Sequence, residues 1–355
     1  MSNLTQAAIN GISAITELSQ TFVNCIRVFF KYGILGNSIR IEVSTLCQLQ
    51  CPLCYRTYPE KMEAIGLGNL KFSDFKKFID TYPEFKNIEI TSKGEIFLNP
   101  ELKDILRYAY EKKVNITALI GVNLNSITEE MIEWIVQYRI KGMTVSIDGA
   151  SSQTYQLYRK GGDFDTVIAN IKKINTCKKK LGAKYPILYW QFIIFGHNEF
   201  ELPVAKSLAE ELGMKFEAIF NYKEEYLSVV NKELVRKQVG AATTAEFEEN
   251  TGLIYLPLCF QYWISPQINW DGRLLGCCCN MYGDFGNVFK DGLARCIKSQ
   301  RYTYARKMLL FKKEAREDMP CLQCEMYPKI RKAGLLRMII SILRISWKRL
   351  SIIFA

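Results

Sequence analysis

The sequence predicts an α/β fold in which a parallel sheet is built from six strand–helix units. Six short runs rich in isoleucine, valine and aromatic residues recur between residues 39 and 220, as is typical of buried strands. Amphipathic helical patterns separate these runs, and parallel strands need such crossover connections. Small and polar residues follow the strands, where folds of this class bind ligands. These patterns fit either an open doubly wound sheet or a partial barrel.

The individual elements are predicted in chain order from residue type and spacing. The strands are IRIEV (39–43), NIEIT (87–91), VNITALI (114–120), GMTVSI (142–147), ILYWQFII (187–194) and MKFEAIF (214–220). Helices are predicted over residues 100–113, 128–139, 163–181 and 199–212, where apolar residues recur with helical spacing. Gly213 suits the end of the last helix, since glycine readily adopts the left-handed conformation found there.

Composition and charge limit the classes of function. With 355 residues the chain can bury a full core, and we expect one large domain and a smaller one. The net charge is +11, and residues 331–355 contain six basic and no acidic residues, which favours contact with an anionic surface. No RNP, zinc-finger or helix-turn-helix pattern accompanies this charge, so we expect no nucleic-acid partner. The N-terminal residues lack the pattern of a secretion signal, which predicts a cytoplasmic location.

Three of the twelve cysteines, Cys47, Cys51 and Cys54, lie in the loop after the first predicted strand with the spacing C-x3-C-x2-C. In a reducing compartment clustered cysteines bind metal more often than they form disulfides. A structural zinc site takes four ligands, whereas three thiolates suit a metal cluster that keeps one position open. A zinc site with a distant fourth ligand is the alternative interpretation.

This three-cysteine loop resembles that of the radical S-adenosylmethionine (SAM) superfamily. In that family three cysteines hold a [4Fe–4S] cluster whose fourth iron binds SAM, and reductive cleavage of SAM yields a 5′-deoxyadenosyl radical that abstracts a substrate hydrogen. The resemblance implies that Cys47, Cys51 and Cys54 are iron ligands. It also implies a partial (β/α)6 barrel of the TIM type and an electron donor of the flavodoxin or ferredoxin type.

The segment after the second strand, Ser92-Lys93-Gly94-Glu95, resembles the family's Gly-Gly-Glu motif, which receives the SAM amino group. The resemblance assigns SAM binding to Gly94 and Glu95. Lys93 stands where the motif has its first glycine, and Ile96 stands where a proline is usual.

The fourth-strand segment SIDGASSQTYQLYRKGGDF (146–164) also resembles the family pattern. The resemblance implies that Ser146 contacts the SAM ribose and that Arg159 contacts the SAM carboxylate, for which a guanidinium fork is suited. It places Gln191 and the His197-Asn198 turn near the adenosine. The alternatives are an exposed surface charge at Arg159 and a packing role for His197.

A second cysteine set begins at Cys259, with Gly272 and Cys277 at the spacing C-x12-G-x4-C, and Cys321 and Cys324 follow as C-x2-C. This pattern resembles the auxiliary-cluster extension called SPASM, in its shorter form called twitch. The resemblance implies one auxiliary [4Fe–4S] cluster held by these four cysteines. A four-cysteine zinc site is the alternative.

The residues between the cysteines add two expectations. Asp271-Gly272 predicts a two-residue hairpin turn that presents Cys277 at the end of the second strand. Cys278, Cys279 and Cys296 are candidates for donating a hydrogen atom to a substrate radical or for simple packing. Cys278 and Cys279 are also alternatives to Cys277 as a ligand.

We expect four segments: an N-terminal amphipathic helix (1–36), the barrel (37–225), the auxiliary-cluster domain (226–330) and a basic amphipathic helix (331–355). In both terminal segments the polar residues follow one narrow helical stripe through largely apolar sequence. Such faces either pack on protein, or lie in the plane of a membrane as a peripheral contact. Charges interrupt both segments before the length of a membrane span is reached.

The leading hypothesis from the resemblance is an enzyme that oxidises, dehydrogenates or similarly modifies a sugar-like, lipid-linked or natural-product substrate. The alternative is an epimerase or a ribosomal-peptide-modifying enzyme in which a cysteine donates hydrogen. A zinc-stabilised binding protein without radical chemistry is the hypothesis from a different class.

Overall fold

The computed structural model describes residues 22–341 and 343, and its centre is a seven-stranded sheet whose neighbouring strands are all parallel. The strands are β1 (Ser38–Ile41), β2 (Asn87–Glu89), β3 (Asn115–Val122), β4 (Gly142–Ser146), β5 (Ile187–Ile194), β6 (Lys215–Phe220) and β7 (Gln267–Ile268). The six predicted strands are confirmed. The addition of β7 beside β1 was not predicted.

The strand order is β6-β5-β4-β3-β2-β1-β7, so the first six strands follow one another in space as they do along the chain. A doubly wound sheet reverses its strand order at a switch point, and a sheet wound in one direction curls toward a barrel. The order therefore confirms the partial barrel and removes the doubly wound alternative.

Helices cover the outside of this sheet and build the region that follows it. They are α1 (22–32), α2 (Pro59–Ile65), α3 (Phe72–Thr81), α4 (Leu102–Glu111), α5 (Glu129–Gln137), α6 (Ser152–Tyr158), α7 (Phe164–Lys180), α8 (Leu202–Glu211), α9 (Lys232–Val239), α10 (Thr244–Thr251), α11 (Gln261–Ile264), α12 (Val288–Asp291), α13 (Leu293–Lys298), α14 (Gln300–Leu309), α15 (Met326–Ala333) and α16 (335–341). The predicted helices correspond to α4, α5, α7 and α8. The helices α2 and α3 were not predicted. The connection between β1 and β2 begins with the cysteine loop, which obscures the helical pattern that follows it.

The inner face of the sheet is polar. On β1 the isoleucines are buried in the apolar core, while Arg40, and Glu42 just beyond the strand, alternate with them and lie on the opposite face. Arg40 Nε donates to Gln267 Oε1 of β7 at 3.0 Å. Thr117 Oγ1 of β3 donates to Glu89 Oε2 of β2 at 2.7 Å. The interior of the barrel therefore offers polar groups to a ligand.

A short hairpin follows β7. Ile268 pairs antiparallel with Leu274, and the Asn269 N–H donates to the Arg273 carbonyl at 2.8 Å. The turn thus contains three residues, with Gly272 in the left-handed region at φ 89°. The expected hairpin is present, but the two-residue turn was wrong. A side chain at Gly272 would overlap the Phe289 ring, which selects glycine there.

The terminal helices each pack one face on the protein. Val28 of α1 and Met338 of α16 are fully buried, and Arg337 Nε donates to the Gly252 carbonyl at 2.9 Å. Their other faces leave large apolar side chains exposed, as described below. Within the described residues, no helix combines the length and the apolar character that crossing a bilayer requires. The parts of the terminal predictions that fall on residues 1–21, 342 and 344–355 lie outside the described residues.

Candidate active site

The first cysteine loop leaves the carboxyl end of β1 and packs into one small apolar cluster. Cys47, Cys51 and Cys54 contact this cluster, and the Cys54 N–H donates to the Cys51 carbonyl at 3.0 Å. The cluster's buried members besides Cys51 are Leu49, Tyr158, Ile193 and Phe195. The loop therefore brings the three predicted ligands together on one side of the barrel mouth.

Hydrogen-bond donors are aimed at two of these sulfur atoms. The Leu49 N–H and Asn123 Nδ2 lie 3.4 and 3.6 Å from Cys47 Sγ, and Arg159 Nη1 lies 3.7 Å from Cys51 Sγ. Burial raises the pKa of Cys47 to about 11. Burial also raises the pKa of Cys51, although the charge of Arg159 opposes it. The thiols are therefore neutral when free, and the donors suit the negative sulfurs of a bound cluster.

Glu95 lies beside this loop and is buried. Its Oε2 accepts from the Asn123 N–H at 2.6 Å, and its Oε1 accepts from the Phe97 N–H at 3.3 Å. Burial raises the pKa of Glu95 to about 7, and the charge of Arg159 works in the opposite direction. Gly94 precedes it, and a Cβ there would overlap the Ser44 carbonyl, so this loop tolerates only glycine. Asn123 is a site residue that the sequence analysis missed, and its signal was its place directly after β3.

Ser146, the last residue of β4, and Gln191, in the middle of β5, lie side by side, since their Cα atoms are partners in register. Gly121 of β3 is adjacent, with φ 139°, and a Cβ there would overlap Ser146 Oγ. Three neighbouring strands therefore offer small or polar groups on the same rim as the cysteine loop.

Arg159 is held by a buried ion pair. The helix α6 ends at Tyr158, so Arg159 leaves the helix and its Nε reaches Asp148 Oδ2 at 2.5 Å. Its side chain is only 13% exposed and that of Asp148 is 0% exposed, so the alternative of a surface charge is wrong. Burial raises the pKa of Asp148 although Arg159 opposes this, and the Asp148 charge raises the pKa of Arg159 against the effect of burial. The sequence analysis quoted Asp148 within its motif without giving it a role.

The second cysteine set surrounds one small cavity. Its lining includes Cys259, Cys277, Cys321 and Cys324, together with Cys279. The Tyr262 hydroxyl lies 3.3 Å from Cys321 Sγ. Burial raises the pKa of Cys321 to about 11, as it raises those of Cys259 and Cys277. Four thiols around an apolar cavity fit an iron–sulfur cluster by donor type.

Among residues 22–341 and 343, no three or more His, Cys, Asp or Glu side chains lie close enough together to hold one metal ion. The fit of both cysteine sets to clusters therefore rests on donor type, on the N–H groups aimed at sulfur, and on the shared loop and cavity.

Comparison with known proteins agrees with this geometry. The model of the radical SAM superfamily matches residues 41–198. The SPASM model, described as an iron–sulfur cluster-binding domain, matches residues 259–325. The chain belongs to the radical SAM superfamily and carries a SPASM domain. Its cofactors are accordingly SAM and a [4Fe–4S] cluster in the radical SAM domain, and further iron–sulfur clusters in the SPASM domain.

Three relatives show how far the similarity extends. GTP 3′,8-cyclase of Clostridium botulinum is 23% identical over 240 residues, covering 63% of this chain and 71% of the cyclase. The subtilosin biosynthesis protein AlbA of Bacillus subtilis is 30% identical over 141 residues, covering 38% of this chain and 29% of AlbA. The crystal structure of Streptococcus suis SuiB bound to SAM matches with a TM-score of 0.59 at 15% identity, covering 85% of this chain and 74% of SuiB. The last likeness concerns the fold alone.

The turn after β5 holds the radical SAM rim in shape. Asn198 Nδ2 donates to the carbonyls of Asp148 and Ile193 at 3.0 and 2.9 Å, and its Oδ1 accepts from the Phe195 N–H. Its amide is thus engaged within the protein, beneath the Arg159 pair. His197 stacks on Phe195 with ring centroids 5.4 Å apart, and burial lowers its pKa, which favours the neutral ring.

Cys278 and Cys279 have different surroundings. Cys279 lines the auxiliary cavity, whereas Cys278 Sγ accepts from Gln261 Nε2 at 3.3 Å. A hydrogen bond from Cys279 lowers the pKa of Cys278, and the charges of Arg40 and Lys93 add to the effect. The roles of both cysteines stay predictions. Cys296 is buried apart from both sets, beside Gly286.

Two tyrosines that the sequence analysis missed lie between the cysteine sets. The Tyr222 hydroxyl donates to the Leu53 carbonyl in the first cysteine loop at 3.0 Å. Burial raises the pKa of Tyr55, and Cys279, Tyr222 and Cys324 raise it further through their charges. The first loop and the auxiliary cavity therefore face each other across an aromatic layer.

Proposed function

We propose that this radical SAM enzyme oxidises or dehydrogenates a hydroxyl-bearing carbon of a sugar-like, lipid-linked or natural-product substrate. The observation that carries the proposal is the polar inner face of the barrel. Arg40, Glu42, Glu89 and Lys93 are all buried there, and two of them reach the auxiliary domain, Arg40 at Gln267 and Lys93 at the Cys278 carbonyl. Buried polar groups suit a substrate rich in hydroxyl groups more than an apolar one.

The roles of the chain's own residues follow from the site. Cys47, Cys51 and Cys54 would hold the [4Fe–4S] cluster, which when bound would provide the electron for reductive cleavage of SAM. We propose that Glu95 accepts the SAM amino group and that Arg159, oriented by Asp148, holds the SAM carboxylate. Ser146 and Gln191 are the adjacent polar groups for the nucleoside, and Asn198 fixes the main chain after β4 through the Asp148 carbonyl. Gly94 lets the Glu95 loop pack against the Ser44 carbonyl. Cys259, Cys277, Cys321 and Cys324 would hold the auxiliary cluster. That cluster would accept the electron that the substrate radical loses after hydrogen abstraction, and the hydroxyl proton would pass to solvent.

A second candidate function is epimerisation or peptide modification with Cys278 as hydrogen donor. The observation that favours it is that Cys278 Sγ accepts from Gln261 Nε2, whereas its neighbours Cys277 and Cys279 line the auxiliary cavity. A SuiB structure is described as bound to the precursor peptide SuiA, and AlbA acts in bacteriocin biosynthesis, so peptide substrates occur among proteins similar to this one.

The test is anaerobic incubation of the reconstituted enzyme with SAM, dithionite and candidate substrates. Release of 5′-deoxyadenosine supports radical chemistry, and its absence with intact clusters contradicts it. Oxidation lowers the substrate mass by two hydrogens, whereas epimerisation in D2O keeps the skeleton and introduces one deuterium. Cys278→Ala should abolish only the deuterium incorporation. Cys177→Ala, in α7 and outside both cysteine sets, is the matched control.

We also propose a peripheral contact of the terminal helices with anionic membrane. Phe22 and Phe30 on α1 are 66% and 80% exposed, and Leu336 on α16 is 72% exposed, while the opposite helix faces are buried. Apolar side chains beside basic ones favour an in-plane position at an anionic surface.

Flotation with vesicles of phosphatidylcholine and phosphatidylglycerol tests this contact, and vesicles of phosphatidylcholine alone test its charge dependence. Phe30→Asp should reduce flotation. Val230→Asp, at a site that is 81% exposed and away from these helices, should not. Flotation that is equal in both variants, or a dimer with no vesicle binding, would contradict the proposal.

We further propose that a flavodoxin or ferredoxin is the electron donor. Reduction of the enzyme by such a protein in place of dithionite tests this.

A further inference from the structure

The loop that carries the SAM-binding Gly94 and Glu95 makes a direct contact with the auxiliary domain. Lys93 Nζ donates to the Cys278 carbonyl at 2.7 Å, across a separation of 185 residues. The Lys93 side chain is part of the polar inner face, and Lys93 is only 9% exposed. This residue stands where the related motif has a glycine, which has no side chain to make this contact.

The Lys93 end of this contact is rigid. The Lys93 N–H donates to Glu42 Oε1 at 3.1 Å, which fixes the loop to the end of β1. At the next residue, Gly94, no Cβ fits beside the Ser44 carbonyl, so the loop has little room to change its conformation. A displacement of Gly94 or Glu95 therefore moves the base of the Lys93 side chain with it.

The Cys278 end is held on both sides. The Cys278 N–H donates to Gln261 Oε1 at 2.7 Å, and its carbonyl accepts from Lys93. On either side of it, Cys277 and Cys279 line the auxiliary cavity. The position of the Cys278 main chain thus decides how these two neighbours are presented to the cavity.

We propose that Lys93 is a positioning residue that couples SAM binding at the Gly94–Glu95 loop to the auxiliary cluster site through the Cys278 carbonyl. Two sites are coupled when each biases an element shared by both, and here the shared element is the fixed chain from Glu42 through Lys93 to Cys278. Coupling of this kind is reciprocal. We propose that each site favours the other, so loss of the auxiliary site weakens SAM binding.

The test is a thermodynamic cycle on the full chain with reconstituted clusters. SAM dissociation constants are measured by equilibrium dialysis for the wild-type chain and for Cys321→Ala/Cys324→Ala, each with Lys93 and with Lys93→Met. With Lys93 present, we expect loss of the auxiliary ligands to weaken SAM binding about fivefold or more. With Lys93→Met, we expect the same loss to change it by less than about twofold.

Matched variants separate this role from general packing. Lys223 also connects the barrel to the auxiliary domain, through Glu325 Oε1 at 2.6 Å, but in an exposed pair that contributes little in water. Lys223→Met should therefore keep the wild-type coupling, and Lys93→Arg, which retains a donor, should restore part of it. Lys93→Gln replaces Lys93→Met in the cycle if the latter does not accumulate.

Electron paramagnetic resonance gives a second readout. Addition of SAM should alter the signal of the auxiliary cluster in the wild-type chain but not in Lys93→Met. An equal weakening of SAM binding in the Lys93 and Lys93→Met cycles, or none in either, would overturn the proposal. The cycle needs no substrate, so its outcome is independent of the reaction proposed above.

Discussion

Arg159 Nε lies 2.5 Å from Asp148 Oδ2 in a pair that is nearly closed to water. The same guanidinium places Nη1 3.7 Å from Cys51 Sγ. One cation thus touches both the carboxylate that orients it and a predicted iron ligand. The free edge of the guanidinium is available to an anionic ligand at the mouth of the barrel.

Replacing Asp148 by asparagine should weaken both the fold and SAM binding. Removing one partner of a buried ion pair leaves the other charge uncompensated, at a cost of about 3–5 kcal/mol. Thermal denaturation and SAM affinity measure the two effects. Glu129→Gln, which removes one member of the exposed pair with Lys173, should change stability far less, because exposed ion pairs contribute little in water. Equal effects of the two substitutions would contradict this role of Asp148.

SAM binding should strengthen as the pH rises through 7. Burial raises the pKa of Glu95 from 4.5 to about 7, so the carboxylate becomes charged in that range and can pair with the SAM amino group. The same carboxyl affects the stability of the free protein in the opposite direction. A raised pKa stabilises the fold below the unfolded value of 4.5, and this contribution is lost as the pH rises through about 7.

Glu95→Gln should therefore flatten the pH dependence of the SAM dissociation constant between about pH 6 and pH 8. Glu246→Gln is the control, because the ion pair with Arg236 lowers the pKa of Glu246, so this carboxylate does not change its charge between about pH 6 and pH 8. A pH dependence that survives Glu95→Gln would exclude Glu95 as its source.

Iron content should separate the two cysteine sets. Two [4Fe–4S] clusters correspond to about eight irons per chain, and Cys324→Ala should reduce this to about four while 5′-deoxyadenosine is still released. Cys51→Ala should abolish that release. Zinc in place of the auxiliary iron would contradict the assignment of Cys259, Cys277, Cys321 and Cys324 to an iron–sulfur cluster.

Gly94→Ala should disable SAM binding through backbone overlap. The added methyl group meets the Ser44 carbonyl, which belongs to the main chain and cannot rotate away. Gly182→Ala is the control, since nothing lies within 4 Å of its Cβ position and its cost is limited to the left-handed φ of 59°. We expect SAM affinity to be lost only in Gly94→Ala. Unchanged affinity would show that the loop can relax.

The positions of the strands and the cysteine spacings were predictable because both are local patterns. Alternating apolar residues identify a strand without knowledge of its neighbours. C-x3-C-x2-C after the first strand identified Cys47, Cys51 and Cys54 for the same reason, and Gly94 and Ser146 followed from short motifs at strand ends. The three-residue hairpin turn was missed because the register of the flanking strands, rather than Asp271-Gly272 alone, decides the turn length.

Taken by itself, the sequence determined the parallel α/β class, the two cysteine sets and the family, since each is encoded in residues close together in the chain. Only the tertiary structure decided that Arg159 is buried on Asp148, that Cys278 and Cys279 have different surroundings, and that Lys93 reaches the Cys278 carbonyl. These contacts depend on how crossover helices and the SPASM domain pack around the barrel. A charged residue's burial is set by that packing, and residue type alone does not reveal it.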